Sequence, residues 1–275
     1  MKGPGASWGG SYFGKPAAFP PAEQPVPANL DYDLWLGPAK QTPFNGLYHP
    51  KKWRGFNQFG CGQFGDWFCH VADAPVWILD LYEPTVIEAE EVDGGNDWIA
   101  PDGNRVRFDF PKRGDKAACS FYWHNGDSQF RPDKPESWTW GENLGNGGSL
   151  FMGEKQIGYT DERSNHPRLA DREAMKAFKE GGFPEEKYAR VKGGGPHAEW
   201  VRAIKEEGPE PGSNFDYAAP MSEIALLGVL AARFGGKIEW DAKNMRITNR
   251  PELNAFVREP VREGWEYGRD LWKNT

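Results

Sequence analysis

The sequence predicts an α+β fold: an open, mostly antiparallel β-sheet with helices packed on one face, preceded by an extended arm rich in Gly, Pro and aromatic residues. Three observations carry this. Apolar residues recur at helical spacing through Phe64, Trp67, Phe68, Val71, Trp77, Ile78 and Leu81. The period then drops to two over Thr85–Val92, Arg105–Phe110 and Ala117–Trp123, which reads as strands. The order is helix, a run of strands, helices and a final hairpin, not the alternation of a parallel βαβ series.

Residues 1–30 form the expected arm. Gly, Pro and Ala dominate it and cannot hold a helix, yet Trp8, Tyr12, Phe13 and Phe19 are interleaved. Leaving such rings in water costs about 25 cal/mol per Å² of apolar surface, so the arm is expected to lie across another surface, its own or a partner's. Residues 31–275 are expected to form the domain proper. Its first part, 31–60, is irregular and aromatic. A helix over 62–81 should kink or restart at Pro75, which has no N–H to offer the Val71 carbonyl. Hairpins are expected at 149–159 and 237–248, and helices at 171–180, 196–206 and 221–234, the last apolar on most sides and hence buried.

Composition narrows the function classes. The 275 residues carry 33 Lys and Arg against 40 Asp and Glu, a net charge of −7, which argues against a general nucleic-acid binder. The 13 Trp, 9 Tyr and 17 Phe supply a core, although 34 Gly and 23 Pro make roughly a fifth of the chain. No run of about 18 apolar residues is seen, so no membrane-spanning helix is expected. Met1–Gly5 lacks the apolar region of a signal peptide. The cysteines, Cys61, Cys69 and Cys119, are odd in number and form no CxxC, which suits a reducing cytoplasm.

Gly60-Cys61-Gly62-Gln63-Phe64-Gly65 matches GxGxxG, but no Val/Ile-rich strand precedes it and the residue 20 positions on, Asp80, belongs to the same helical stretch. The alternative to a dinucleotide site is a close approach of backbone to a ligand or neighbouring element. Asp66 and His70 stand at i and i+4 on one helix face, with Asp73 extending the stripe. A carboxylate so placed can orient an imidazole and raise its basicity for proton transfer; the same spacing also describes a surface ion pair. His49, Trp53 and Arg54, with Trp35 and Tyr48 nearby, offer aromatic faces and guanidinium donors suited to a sugar ring, or else a satellite core under a long loop. His49, His70, His124, His166 and His197 show no metal-ligand spacing, so no metal site is expected. Gly193-Gly194-Gly195-Pro196-His197 reads as a helix entry.

Leu30-Asp31-Tyr32-Asp33-Leu34-Trp35-Leu36-Gly37-Pro38-Ala39, then Tyr48-His49-Pro50-x-x-Trp53-Arg54, then Gly65-Asp66-x-x-x-His70-x-x-Asp73, in this order, resemble the Gfo/Idh/MocA oxidoreductases. Glu223-x-x-Leu226-Leu227-Gly228, Ile238-Glu239-Trp240-Asp241, Asn249-x-Pro251-Glu252 and Gly264-Trp265 extend the likeness. The resemblance implies the family's C-terminal α/β domain, which binds the sugar or polyol and makes the oligomer interface. It does not extend to the N-terminal Rossmann domain or its Glu-Lys-Pro motif; Glu154-Lys155-Gln156 is not that motif. It places Asp66 and His70 on the family's catalytic Asp and His. It also implies that this chain alone binds no cofactor, NAD(P) coming only from a partner domain.

Three function readings follow. The chain is the substrate-binding half of a sugar or polyol oxidoreductase, with the NAD(P) domain missing or on another chain; or a redox-independent carbohydrate hydrolase or lyase that uses the His70/Asp66 pair; or a non-catalytic sugar-binding or assembly module. A turnover screen with and without NAD(P) separates them. A homodimer or larger assembly through the sheet face is expected, because Ile87, Val106 or Phe121 would reach that face in one strand register. No nucleic-acid or membrane partner is expected.

Overall fold

A computed structural model describes residues 15–145, 147–188, 191, 193 and 195–266. Trp8, Tyr12 and Phe13 of the arm, and Gly194 of the glycine run, lie outside them. Residues 15–30 contain neither helix nor strand. They lie along 42–48: Gln24 donates its N–H to Phe44 O (2.8 Å), Asn45 Nδ2 donates to Ala22 O (2.7 Å), and Phe19 packs beside Tyr48, Phe56 and Ile99.

A short helix, α1 (Tyr32–Leu36), opens the domain, capped by Asp31, whose carboxylate accepts from the Leu34 N–H at 3.0 Å. The sequence reading left this stretch irregular, because five residues are too few to show a period. The expected 62–81 helix is two, α2 (Gly62–Val71) and α3 (Asp73–Leu79). The restart at Ala72 puts Pro75 in the first turn of α3, where a missing N–H costs no hydrogen bond.

The strands are β1 (Val86–Asp93), β2 (Gly103–Phe110), β3 (Cys119–Asn125), β4 (Ser149–Met152), β5 (Ile157–Thr160) and β6 (Arg168–Leu169). Helices α4 (Arg172–Glu180), α5 (Gly195–Ile204) and α6 (Phe215–Phe234) follow. β7 (Gly236–Asp241), β8 (Arg246–Ile247) and α7 (Asn254–Val257) close the described chain. The main sheet has the order β3-β2-β1-β7-β8 and is antiparallel throughout; β4-β5-β6 make a second, smaller sheet. Two-residue β6 had no legible alternation, so the expected hairpin at 149–159 gains a third strand.

Register decides which face of the main sheet is covered. Ile87 lies opposite Phe108 and Ile238, Phe108 opposite Phe121, and Val106 opposite Trp123. All are buried in one core with Phe64, Phe68 and Val71 of α2 and Ile224, Leu227 and Ala231 of α6. A Cβ at Gly228 would overlap Phe64 Cζ and come within 2.6 Å of Phe108 Cζ, so glycine there lets α6 sit directly on α2 and the sheet.

The opposite face carries ions. Arg107 reaches Glu88 (2.7 Å), Glu90 (3.3 Å) and Asp109 (3.3 Å); Arg105 reaches Glu90 (2.9 Å) and Glu91 (2.8 Å); Lys237 reaches Glu239 (2.6 Å). The expectation that Ile87, Val106 or Phe121 would make this face apolar is therefore corrected. Strict alternation sends all three to the helix side and leaves cross-strand charge pairs outside.

α6 begins six residues earlier than the spacing suggested, capped by Asn214, whose Oδ1 accepts from the Tyr217 N–H at 3.2 Å. Pro220 lies inside it. By length and composition this helix could cross a membrane, which corrects the expectation that no such segment exists. Its inner side packs on α2, β1 and β2, as a core helix does.

Buried phenols give the fold an alkaline limit. The Tyr32 hydroxyl is pushed up to about 12, first by burial and then by its neighbour Tyr48. Tyr48, Tyr159 and Tyr217 are also raised, burial being the first cause in each. An unfolded tyrosine ionises near about 10. Between that value and 12 the unfolded chain sheds protons that the folded chain keeps, so the stability these groups contribute is intact below pH 10 and falls as pH rises to 12. Urea unfolding at pH 9, 10.5 and 12 is expected to show this decline, and Tyr32→Phe to make it shallower.

Candidate functional site

The predicted site residues separate into a core group and a surface strip. Tyr48 is 2 % exposed and belongs to an aromatic core with Phe56 and Ile99. Trp35 stacks on it (6.5 Å between centroids) and meets the rings of Phe59 (5.2 Å) and His49 (6.4 Å) edge-on. Tyr48 and the half-buried Trp35 thus pack in one aromatic cluster, and the exposed His49 lies at its rim.

Trp53 and Arg54 lie on a 3-10 turn at Lys52–Gly55, and Arg54 meets Asp66 of α2. The Arg54 guanidinium lies 4.7 Å from the Trp53 ring centroid, and its Nε stands 3.7 Å from Asp66 Oδ1. The glycine run makes this approach close: a Cβ at Gly60 would overlap the Arg54 carbonyl oxygen and lie 2.6 Å from its Cα. A Cβ at Gly65 would likewise collide with Cys61 Cβ. The run is filled by the chain's own backbone and side chains, and it follows a 3-10 turn in a fold whose main sheet is antiparallel.

The expected orientation of His70 by Asp66 is not what forms. No Asp66–His70 hydrogen bond occurs among the described residues, and the Asp66 carboxylate faces Arg54. His70 is exposed and stands edge-on to Trp67, 5.4 Å between centroids. At i and i+4 the two side chains share a face, but a longer-reaching Arg from the preceding turn competes for the carboxylate. Asp73 is drawn elsewhere: as the first residue of α3 it accepts from the Tyr217 hydroxyl at 2.6 Å, which ties α3 to the first turn of α6. Burial and this carboxylate hold the Tyr217 phenol in its neutral form well above the usual range.

Two groups that the sequence reading passed over join the strip. Trp67 lies between Asp66 and His70, and Arg163 stands 5.7 Å over its ring from the loop after β5. That loop also holds a hydrogen-bonded carboxylate–imidazole pair, Asp161 Oδ2 to His166 Nδ1 at 2.8 Å, and His166 holds the Asp161 carboxyl below the usual range. Their five-residue spacing on a turn matches neither helix nor strand periodicity, so no sequence signal marked them. Among the described residues no group of three or more His, Cys, Asp or Glu could hold a metal ion.

A further cavity lies elsewhere. A groove of about 910 Å³ runs along the outer side of α6, lined by Phe59, Cys61, Leu226, Leu230, Arg233 and Trp240 among others. None of the predicted site residues lines it.

No curated protein matches the chain. Residues 2–103 match the family model described as oxidoreductase family, C-terminal alpha/beta domain, Gfo/Idh/MocA. The matched stretch holds His49, Trp53, Arg54, Asp66, His70 and Asp73, while the motifs at 223–265 lie beyond it. Over residues 2–103, just over a third of its length, the chain is similar to the C-terminal alpha/beta domain of the Gfo/Idh/MocA oxidoreductases.

Proposed function

We propose that the chain is the substrate-binding half of a sugar or polyol oxidoreductase, with NAD(P) held by a Rossmann domain outside these 275 residues. The supporting observation is the strip Trp53–Arg54–Asp66–Trp67–His70, carried by a turn and one helix inside the family-matched stretch. Indole faces suit the C–H faces of a sugar ring, and a guanidinium and a carboxylate suit its hydroxyls. His70 is the proton-transfer group of this reading: exposed on the strip, it can take the hydroxyl proton as hydride leaves the same carbon. We also assign the protein to the cytoplasm and to a homodimer or larger assembly through the charged sheet face. No helix among the described residues covers that face, and it carries both signs of charge, so a second copy could complement it.

The test is turnover of sugars and polyols with NAD(P), with and without an added Rossmann-domain partner, alongside calorimetry of NAD(H) with this chain alone. Oxidation that requires the partner, with no NAD(H) binding at micromolar concentration by the chain alone, supports the reading. Sugar cleavage without NAD(P) replaces it by the hydrolase or lyase reading. Once an activity is in hand, Arg54→Ala is expected to raise KM roughly tenfold or more with kcat little changed, as loss of a charge-assisted contact made equally in ground and transition states does.

A further inference from the structure

We infer that the groove along α6 binds a small, uncharged molecule with an apolar body and one hydroxyl, at a site separate from the α2 strip. Beside the groove lies a nook of about 10 Å³, lined by Asn57, Cys61, Phe64, Asn104, Val229 and Arg233 among others. Asn57, Cys61, Val229 and Arg233 line both spaces, so nook and groove adjoin.

The walls of the nook hold two unanswered polar atoms. Asn104 is 2 % exposed, and its buried Oδ1 accepts no hydrogen bond among the described residues. Arg233 stacks its guanidinium 4.9 Å from the centroids of both Phe234 and Phe256, and its buried Nε donates none among the described residues. A buried donor or acceptor left unmet costs about 1–3 kcal/mol, so a group that answers both is held firmly. The volume admits one water-sized group. A hydroxyl has that size, and it can accept from Arg233 Nε–H while donating to Asn104 Oδ1. A carboxylate cannot donate to Asn104. It would also meet Glu223 and Glu259, which line the outer groove and outnumber Arg233 there. The body of the ligand lies on Leu226, Leu230, Phe59 and Trp240, and the groove is within the size range of small-molecule sites.

The test compares 1-naphthol, naphthalene and 1-naphthoate by equilibrium dialysis against the full chain. Naphthol is expected to bind at least about tenfold more tightly than either analogue, and to slow alkylation of Cys61, read by peptide mass mapping, while leaving the exposed Cys69 unchanged. Asn104→Leu and Arg233→Met, each checked for an unchanged circular-dichroism spectrum, are expected to abolish the preference for naphthol over naphthalene. Arg233→Met, at a half-buried position, keeps the test decisive if Asn104→Leu fails to fold. Equal binding of naphthol and naphthalene, preference for the naphthoate, absence of saturable binding, or full preference retained by folded Arg233→Met would each overturn the inference.

Discussion

His70→Ala is expected to lower kcat by roughly 10²–10⁴ on whichever sugar or polyol is turned over, the usual scale for loss of a general acid or base. The side chain is exposed and its only ring contact among the described residues is with the edge of Trp67, so its removal leaves the core intact and the melting temperature nearly unchanged. That contrast makes the experiment readable: a large kinetic effect on an unaltered fold. Because Asp66 faces Arg54, Asp66→Asn is expected to change KM through Arg54 more than kcat through His70. If folded His70→Ala retains full activity, the proton-transfer role assigned to it is wrong.

Phe68→Ala is expected to destabilise the fold by about 3–5 kcal/mol, the usual cost of removing a fully buried ring. Phe68 is completely buried, and its ring meets Phe64 (5.8 Å), Phe108 (6.3 Å), Phe121 (5.8 Å) and Trp123 (5.3 Å). With Phe64 it packs α2 onto the sheet, so closing the cavity left behind would move the helix that carries Asp66 and His70. Urea denaturation gives the loss directly. Residual activity in the folded fraction should also fall, since the strip is positioned by the same helix.

These two residues, two positions apart on one helix, show what was legible in the sequence. The 3.6-residue period placed Phe64, Phe68 and Val71 inside and Asp66 and His70 outside, and the period-two strands placed Ile87, Val106 and Phe108 on one face. Both are local patterns, fixed by the geometry of a single element. The face that would be covered was not local: it depended on where α6 returns, more than a hundred residues later. Tyr48 and Trp53 illustrate a second limit. Both are aromatic residues in an irregular segment, five positions apart, yet one is core and the other carries Arg54. Without a period, nothing in composition separates a ring that packs inward from one that faces a ligand. Arg163 and the Asp161–His166 pair reach the neighbourhood of α2 only through the second sheet, and Asn104 and Arg233 meet only across the strand–helix interface.

The apolar length of α6 has a consequence for how the protein is made. Most of what it packs on in the main core, namely α2 and strands β1 and β2, precedes it in the chain, while β7 and Phe256 of α7 follow it. During vectorial synthesis those elements leave the ribosome first, so this helix emerges onto a surface already able to receive it. A circular permutant that began at residue 214 would reverse that order. Its 20-residue apolar helix would be the first segment in solution, long enough to be mistaken for a membrane anchor and without a partner until the sheet had been translated. Such a permutant is expected to depend on chaperones or to aggregate, although its finished fold would contain the same contacts.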